Sequence, residues 1–138
     1  MRRTTSGLLP VAIAIGVIHS LAKAQFLGPQ QVNQLWSSPA DHRVHYGSSP
    51  LQFGDLRLPH TPGHHPVAVV IHGGCWKSRH GDFIADLQNT AALSSALTSL
   101  GIATWNIEYR QIDNLGGGWT GTFEDVANAI DYLRVLAK

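Results

Sequence analysis

Five consecutive apolar residues, Val67-Ala68-Val69-Val70-Ile71, stop abruptly at His72-Gly73-Gly74-Cys75-Trp76. An apolar run without alternation reads as a strand buried on both faces, because a half-solvated strand alternates with polar residues. Glycine lets the backbone turn sharply and leaves its N–H groups unshielded by a side chain. N–H groups presented just past a buried strand can stabilise an anion that develops during a reaction. His-Gly-Gly is also an ordinary tight turn, and these ten residues alone do not choose between the two.

The 138 residues suffice for one domain. With 43% hydrophobic and 14% charged residues the composition is that of a globular chain. The amino terminus has the pattern of a secretory signal: Arg2-Arg3, an apolar stretch from Leu8 to Ile18, and Ala22-Lys23-Ala24 before Gln25. That stretch contains Pro10 and is short for a membrane span, which disfavours an uncleaved anchor. Thr4 to Gly7 matches a twin-arginine signal poorly. The expectation is export to a periplasmic or extracellular compartment. Three of the ten basic residues lie in this segment, so its removal leaves seven against nine acidic ones, with no basic stripe to meet phosphates. Nucleic-acid binding is disfavoured on that ground. Cys75 is the single cysteine, which excludes an internal disulfide.

The pattern divides the chain into a signal over 1–24, an amino-terminal extension over 25–42, and a domain over 43–138. A short helix is expected over Gln30–Trp36, and an antiparallel strand pair over Arg43–Tyr46 and Leu51–Leu58, joined by Gly47-Ser48-Ser49-Pro50. After the Val67 strand a helix is expected over about Phe83–Leu100. Its apolar face is Leu93, Ala96, Leu97 and Leu100, and Gly101 stands at its stop. A strand over Ile102–Ile107 completes a parallel crossover unit. A Gly-rich loop, Asp113–Gly121, leads to a last helix in which Thr122 and Asp125 form a capping pair and Val126, Ile130, Leu133 and Ala137 an apolar face. A parallel sheet normally continues strand–helix–strand. Here no strand follows, and the architecture reads as interrupted.

The order of elements, with His72-Gly73-Gly74-Cys75-Trp76 after one strand and Glu108-Tyr109-Arg110 after the next, resembles the amino-terminal part of an α/β-hydrolase of the esterase/lipase type, near its carboxylesterase and kynurenine-formamidase-like branches. The resemblance implies the amino-terminal half of an α/β-hydrolase fold, a mainly parallel sheet with flanking helices, truncated before the nucleophile strand. It also implies an uncovered edge along Val67–Ile71, where that strand would pair. It gives the backbone N–H groups of Gly74 and Cys75 the oxyanion-hole role, His72 the support of that loop, and Trp76 and Trp119 places in a substrate pocket. The implied substrate is a small-molecule carboxylic ester or related acyl compound, with no cofactor and no metal. Cys75 stands where the family has glycine; its N–H survives and its side chain adds bulk.

The family's Gly-x-Ser-x-Gly nucleophile motif is absent from the sequence, and with it any identifiable acid and base. A fragment of an exported serine hydrolase, inactive alone, is the resulting expectation. Cys75 as a substitute nucleophile would need His72 to reach it across one tight turn, a geometry that favours a plain oxyanion-loop residue. His42, His45, His60, His64 and His65, with Asp55, lack the ligand spacing of a metal site. A non-catalytic exported binding domain using these histidines is the alternative reading. Gly116-Gly117-Gly118 has no Lys beside it to make a phosphate loop. Glu108 is expected to pair with Arg110 or Arg79.

Overall fold

Strand β6 (Ala103–Ile107) is buried at every position and organises the rest of the chain. In the computed structural model, which describes residues 26–138, it lies between β2 (Phe53–Arg57) and β3 (Val67–Ile71) in a sheet of order β1-β2-β6-β3, with β1 (His42–His45) at the outer edge. The segment read as a secretory signal lies outside the described residues.

The β1–β2 hairpin is antiparallel, as its turn sequence predicts, and β2 is antiparallel to β6. β3 runs parallel to β6 in register Val67↔Ala103 to Ile71↔Ile107. The sheet is therefore mixed, not mainly parallel: only the crossover unit makes a parallel pair among the described residues. β3 is also an edge strand. Val67 and Ile71 are 51% and 44% exposed and only Val70 is buried, which corrects the expectation of burial on both faces. The apolar run fits the buried centre of a sheet, and among the described residues no strand covers its outer side.

The two faces of β6 differ in chemistry. Trp105 and Ile107 point to one side, where they form the apolar core with Ala129, Val69, Leu56 and Val126. The Trp105 Nε1–H donates to the Ala129 carbonyl at 2.9 Å, which gives this buried indole its partner. A Cβ on Gly54 would lie 2.6 Å from the same ring, so β2 passes over the indole only with glycine there. That face is covered by α3 (Gly121–Asp131) and the short α4 (Leu133–Leu136).

Thr104 and Asn106 point to the other side, under α2 (Ala91–Ser99). Thr104 shares a hydrogen bond with Thr98 at 3.1 Å, and the Asn106 amide accepts from Thr90 at 2.8 Å and donates to the Leu87 carbonyl at 2.8 Å. α2 accordingly buries Ala91, Ser94 and Ser95, while Leu93 and Leu100 are 54% and 77% exposed. The apolar stripe expected to face the core points away from it, because the strand beneath offers hydroxyl and amide groups instead of an apolar surface.

The expected helix over Phe83–Leu100 is also shorter. Phe83–Ile84 (β5) pairs with Arg79–His80 (β4) in a small hairpin turned at Gly81, and Leu87–Thr90 forms a 3-10 turn. Asp86 starts that turn, its carboxylate accepting from the Gln88 N–H at 2.9 Å. At the amino-terminal side the helix is a single turn, α1 (Pro29–Val32), not the whole of Gln30–Trp36. Residues of the 25–42 segment are bonded into the domain: Ser38 N–H donates to Ser95 Oγ at 2.9 Å and Asn89 donates to Asn33 at 2.9 Å.

Candidate active site

Because β3 and β6 are parallel, their carboxyl ends open on the same edge of the sheet, where α/β proteins bind ligands. His72 through Trp76 leave one strand there and Glu108 through Gln111 leave the other. Between them and α3 lies a cleft of about 280 Å³, walled by Gly74, Cys75, Trp76, Tyr109 and Phe123.

The loop is shaped by backbone conformation. Gly74 has φ of 137°, and a Cβ there would collide with the Ala85 methyl group. Gly73, by contrast, has open space around it. Cys75 and Trp76 both adopt left-handed φ, 48° and 61°, a conformation that L-residues adopt at a cost. Two consecutive residues of this kind reverse the chain and leave Cys75 exposed. The Gly74 carbonyl is held by the Lys77 N–H at 2.9 Å and by His80 Nε2–H at 2.5 Å. Among the described residues neither the Gly74 nor the Cys75 N–H meets a protein acceptor.

His72 is buried at the root of this loop, 2% exposed. Its Nε2 lies 2.9 Å from Glu108 Oε1 and its Nδ1 2.9 Å from the Gly73 carbonyl oxygen. The Tyr109 ring stacks on it at 4.5 Å, and the Tyr109 hydroxyl donates to the His72 carbonyl at 2.7 Å. Burial lowers the His72 pKa, but hydrogen bonding and charge from Glu108, with smaller help from the Gly73 carbonyl and Asp86, outweigh it and hold the value above 6.5. With both ring nitrogens engaged, His72 is not a base for Cys75.

Glu108 therefore binds His72, not Arg110 or Arg79. Arg110 instead pairs with Asp125, which lies fully buried in α3 and does not cap that helix. Thr120 is the residue that precedes the helix, and Thr122 donates from its hydroxyl to the Arg110 carbonyl at 2.5 Å while accepting from the Gly118 N–H at 3.0 Å. The Gly-rich loop is thus clamped to the end of β6. Gly117 is pressed against the Gln111 carbonyl, where no Cβ fits.

Trp76 and Trp119 both meet Phe123 edge-on, at 5.5 Å and 5.2 Å between ring centroids. Together with Ile112 they enclose a notch of about 150 Å³ beside the loop. Trp119 stays 85% exposed. Phe123, Tyr109 and Asp125 carry no site role in the sequence reading. The Glu108-Tyr109-Arg110 triplet was visible as a motif, but the partner of each member depends on which chain segment crosses the strand end.

The histidines do not converge: among the described residues no three His, Cys, Asp or Glu side chains are placed to hold a metal ion. Asp55 is engaged by Arg43 at 2.7 Å. No described helix is long and apolar enough to cross a membrane.

A strand–helix–strand crossover with an antiparallel hairpin beside it, and a glycine loop at the carboxyl edge, is consistent with an α/β class of protein. The sequence model of the BD-FAE family matches residues 55–138, from β2 through α4. The chain belongs to that family, a domain within the α/β-hydrolase-like esterases. No curated protein and no solved structure matches the chain.

Proposed function

We propose that this chain supplies the oxyanion-stabilising part of an exported serine hydrolase acting on carboxylic esters or related acyl bonds. The observation that carries the reading is the pair of acceptor-free N–H groups at Gly74 and Cys75, beside a cleft at the carboxyl edge of the parallel strands. Preorganised donors of this kind stabilise the charge on a tetrahedral intermediate. In the reaction a serine hydroxyl attacks the acyl carbon, its proton passes to a base, and the carbonyl oxygen takes the negative charge that the two N–H groups meet. Trp76, Phe123 and Trp119 form the apolar side on which the acyl group rests. The 138 residues hold no Gly-x-Ser-x-Gly; on this reading they provide the donors for the oxyanion and not the attacking group, and the chain by itself turns over no ester. The Arg2-Arg3 start, apolar stretch and Ala22-Lys23-Ala24 pattern support export.

The test is titration of the isotope-labelled chain with a small alkyl phosphonate, whose oxygens imitate the tetrahedral oxyanion. The Gly74 and Cys75 amide resonances are expected to move downfield ahead of all others. Unmoved resonances at saturating phosphonate overturn the assignment. A fluorophosphonate probe is expected to leave the chain unlabelled, and p-nitrophenyl esters to turn over at the background rate.

A further inference from the structure

Glu108 stands one residue beyond β6, with both carboxylate oxygens engaged. Oε1 accepts from His72 Nε2–H at 2.9 Å and from the Tyr109 N–H at 3.0 Å, and Oε2 accepts from the Leu87 N–H at 3.1 Å. One side chain thus ties together the root of the glycine loop, the end of β6 and the start of the 3-10 turn. His72 meets an acceptor on each side, since the Gly73 carbonyl faces Nδ1 at 2.9 Å. A neutral imidazole has one donor and one acceptor nitrogen, so only the doubly protonated ring satisfies a carbonyl and a carboxylate together.

We propose that Glu108 is a positioning residue: it holds His72 as an imidazolium, and through that ring it fixes the Gly74 and Cys75 N–H groups in place. The role assigned to those groups rests on the oxyanion reading above; the coupling itself does not. The charged and titratable groups facing His72 are Glu108 and Tyr109 at the end of β6, and Asp86 ahead of the 3-10 turn. None of them is cationic, so nothing there repels a proton on the ring. When the ring loses a proton to solvent, one nitrogen becomes an acceptor facing another acceptor, and one of the two hydrogen bonds is lost. The Gly73 carbonyl is the partner nearest the donor pair, so the loop loosens where Gly74 and Cys75 emerge.

Long-range nitrogen–proton NMR correlation on the isotope-labelled chain reads the ring directly. Both His72 nitrogens are expected to be protonated at about pH 7. Glu108→Gln keeps the shape and removes the charge. It is expected to lower the His72 titration midpoint by about one unit or more, and to lower the backbone order parameters of Gly74 and Cys75 from the range of rigid backbone to that of a flexible loop while Trp105 and Ile107 stay rigid. Glu108→Asp restores part of both. A His72 ring that is neutral at that pH in the native chain, or unchanged Gly74 and Cys75 order parameters in a folded Glu108→Gln, overturns the proposal. Should Glu108→Gln fail to fold, a pH titration of the native chain decides. The Gly74 and Cys75 amides must then follow the His72 ring with one shared midpoint, and separate midpoints overturn the coupling. The phosphonate titration can fail while this coupling persists, so the two readings fail separately.

Discussion

Asp125 and Arg110 are joined three times: the carboxylate accepts from the Arg110 backbone N–H at 3.0 Å, from Nε–H at 2.8 Å and from Nη2–H at 2.6 Å. Asp125 also accepts from Gln52 Nε2–H at 2.6 Å, so one buried carboxylate links α3, the end of β6 and the residue that leads into β2. Burial raises its pKa, but the bonds from Arg110 and Gln52 prevail and hold it below 3.8. Asp125→Ala leaves the guanidinium without its partner and is expected to cost about 3 kcal/mol, the low end for a broken buried pair because Arg110 is partly exposed. Urea unfolding followed by tryptophan fluorescence measures it. A depressed carboxylate contributes stability above its unfolded value that is lost as pH falls through its folded value. The difference between the native chain and Asp125→Asn is therefore full above 3.8 and shrinks in acid.

The two loop glycines are not equivalent. Gly74→Ala meets both a left-handed φ and the Ala85 methyl group, and is expected to lose about 2 kcal/mol or more and to lower phosphonate affinity. Gly73→Ala meets open space and is expected to stay within about 0.5 kcal/mol of the native chain. Thermal denaturation of the pair, run together, separates a general need for flexibility from a specific collision.

Cys75 is held at φ of 48° with its side chain exposed. Replacing it by glycine removes the steric cost of that conformation and is expected to stabilise the fold by about 1 kcal/mol, with no loss of the N–H at that position. The urea midpoint of Cys75→Gly checks this, and the phosphonate titration checks that the donor persists.

On α2, Leu100→Lys is expected to change stability by less than about 0.5 kcal/mol, because the side chain is three-quarters exposed. Ser94→Leu, at a fully buried position under the strand, is expected to cost about 1–3 kcal/mol by overpacking. Helical periodicity alone gives the opposite ranking, so circular dichroism melts of both variants test the orientation of the helix.

Along β3, unpaired backbone groups and the exposed Val67 make an edge that can pair with another chain. Val67→Lys is expected to reduce concentration-dependent association, measured by sedimentation velocity, at a stability cost of less than about 1 kcal/mol.

Local chemistry was enough to read much of this protein from its residues in order. The β1–β2 hairpin follows from two strand-like runs around Gly47-Ser48-Ser49-Pro50, and the crossover from an apolar run, a helical segment ending at Gly101 and a second apolar run. The glycine loop was legible as a sharp turn after a strand, while Gly-Gly by itself fits an ordinary turn equally well. Tertiary structure decided what faces what. The α2 leucines repeat with helical period, yet Thr104 and Asn106 beneath the helix select its serines and threonines for burial. Val67–Ile71 has the composition of a buried strand, but its exposure depends on whether another strand lies beside it. Glu108, Arg110 and Asp125 each showed a charge in the sequence, and spacing suggested near neighbours as partners. The pairs that form, Glu108 with His72 and Arg110 with Asp125, join residues brought together by the end of β6. A charge is a property of one residue; its partner is fixed by where the whole chain passes.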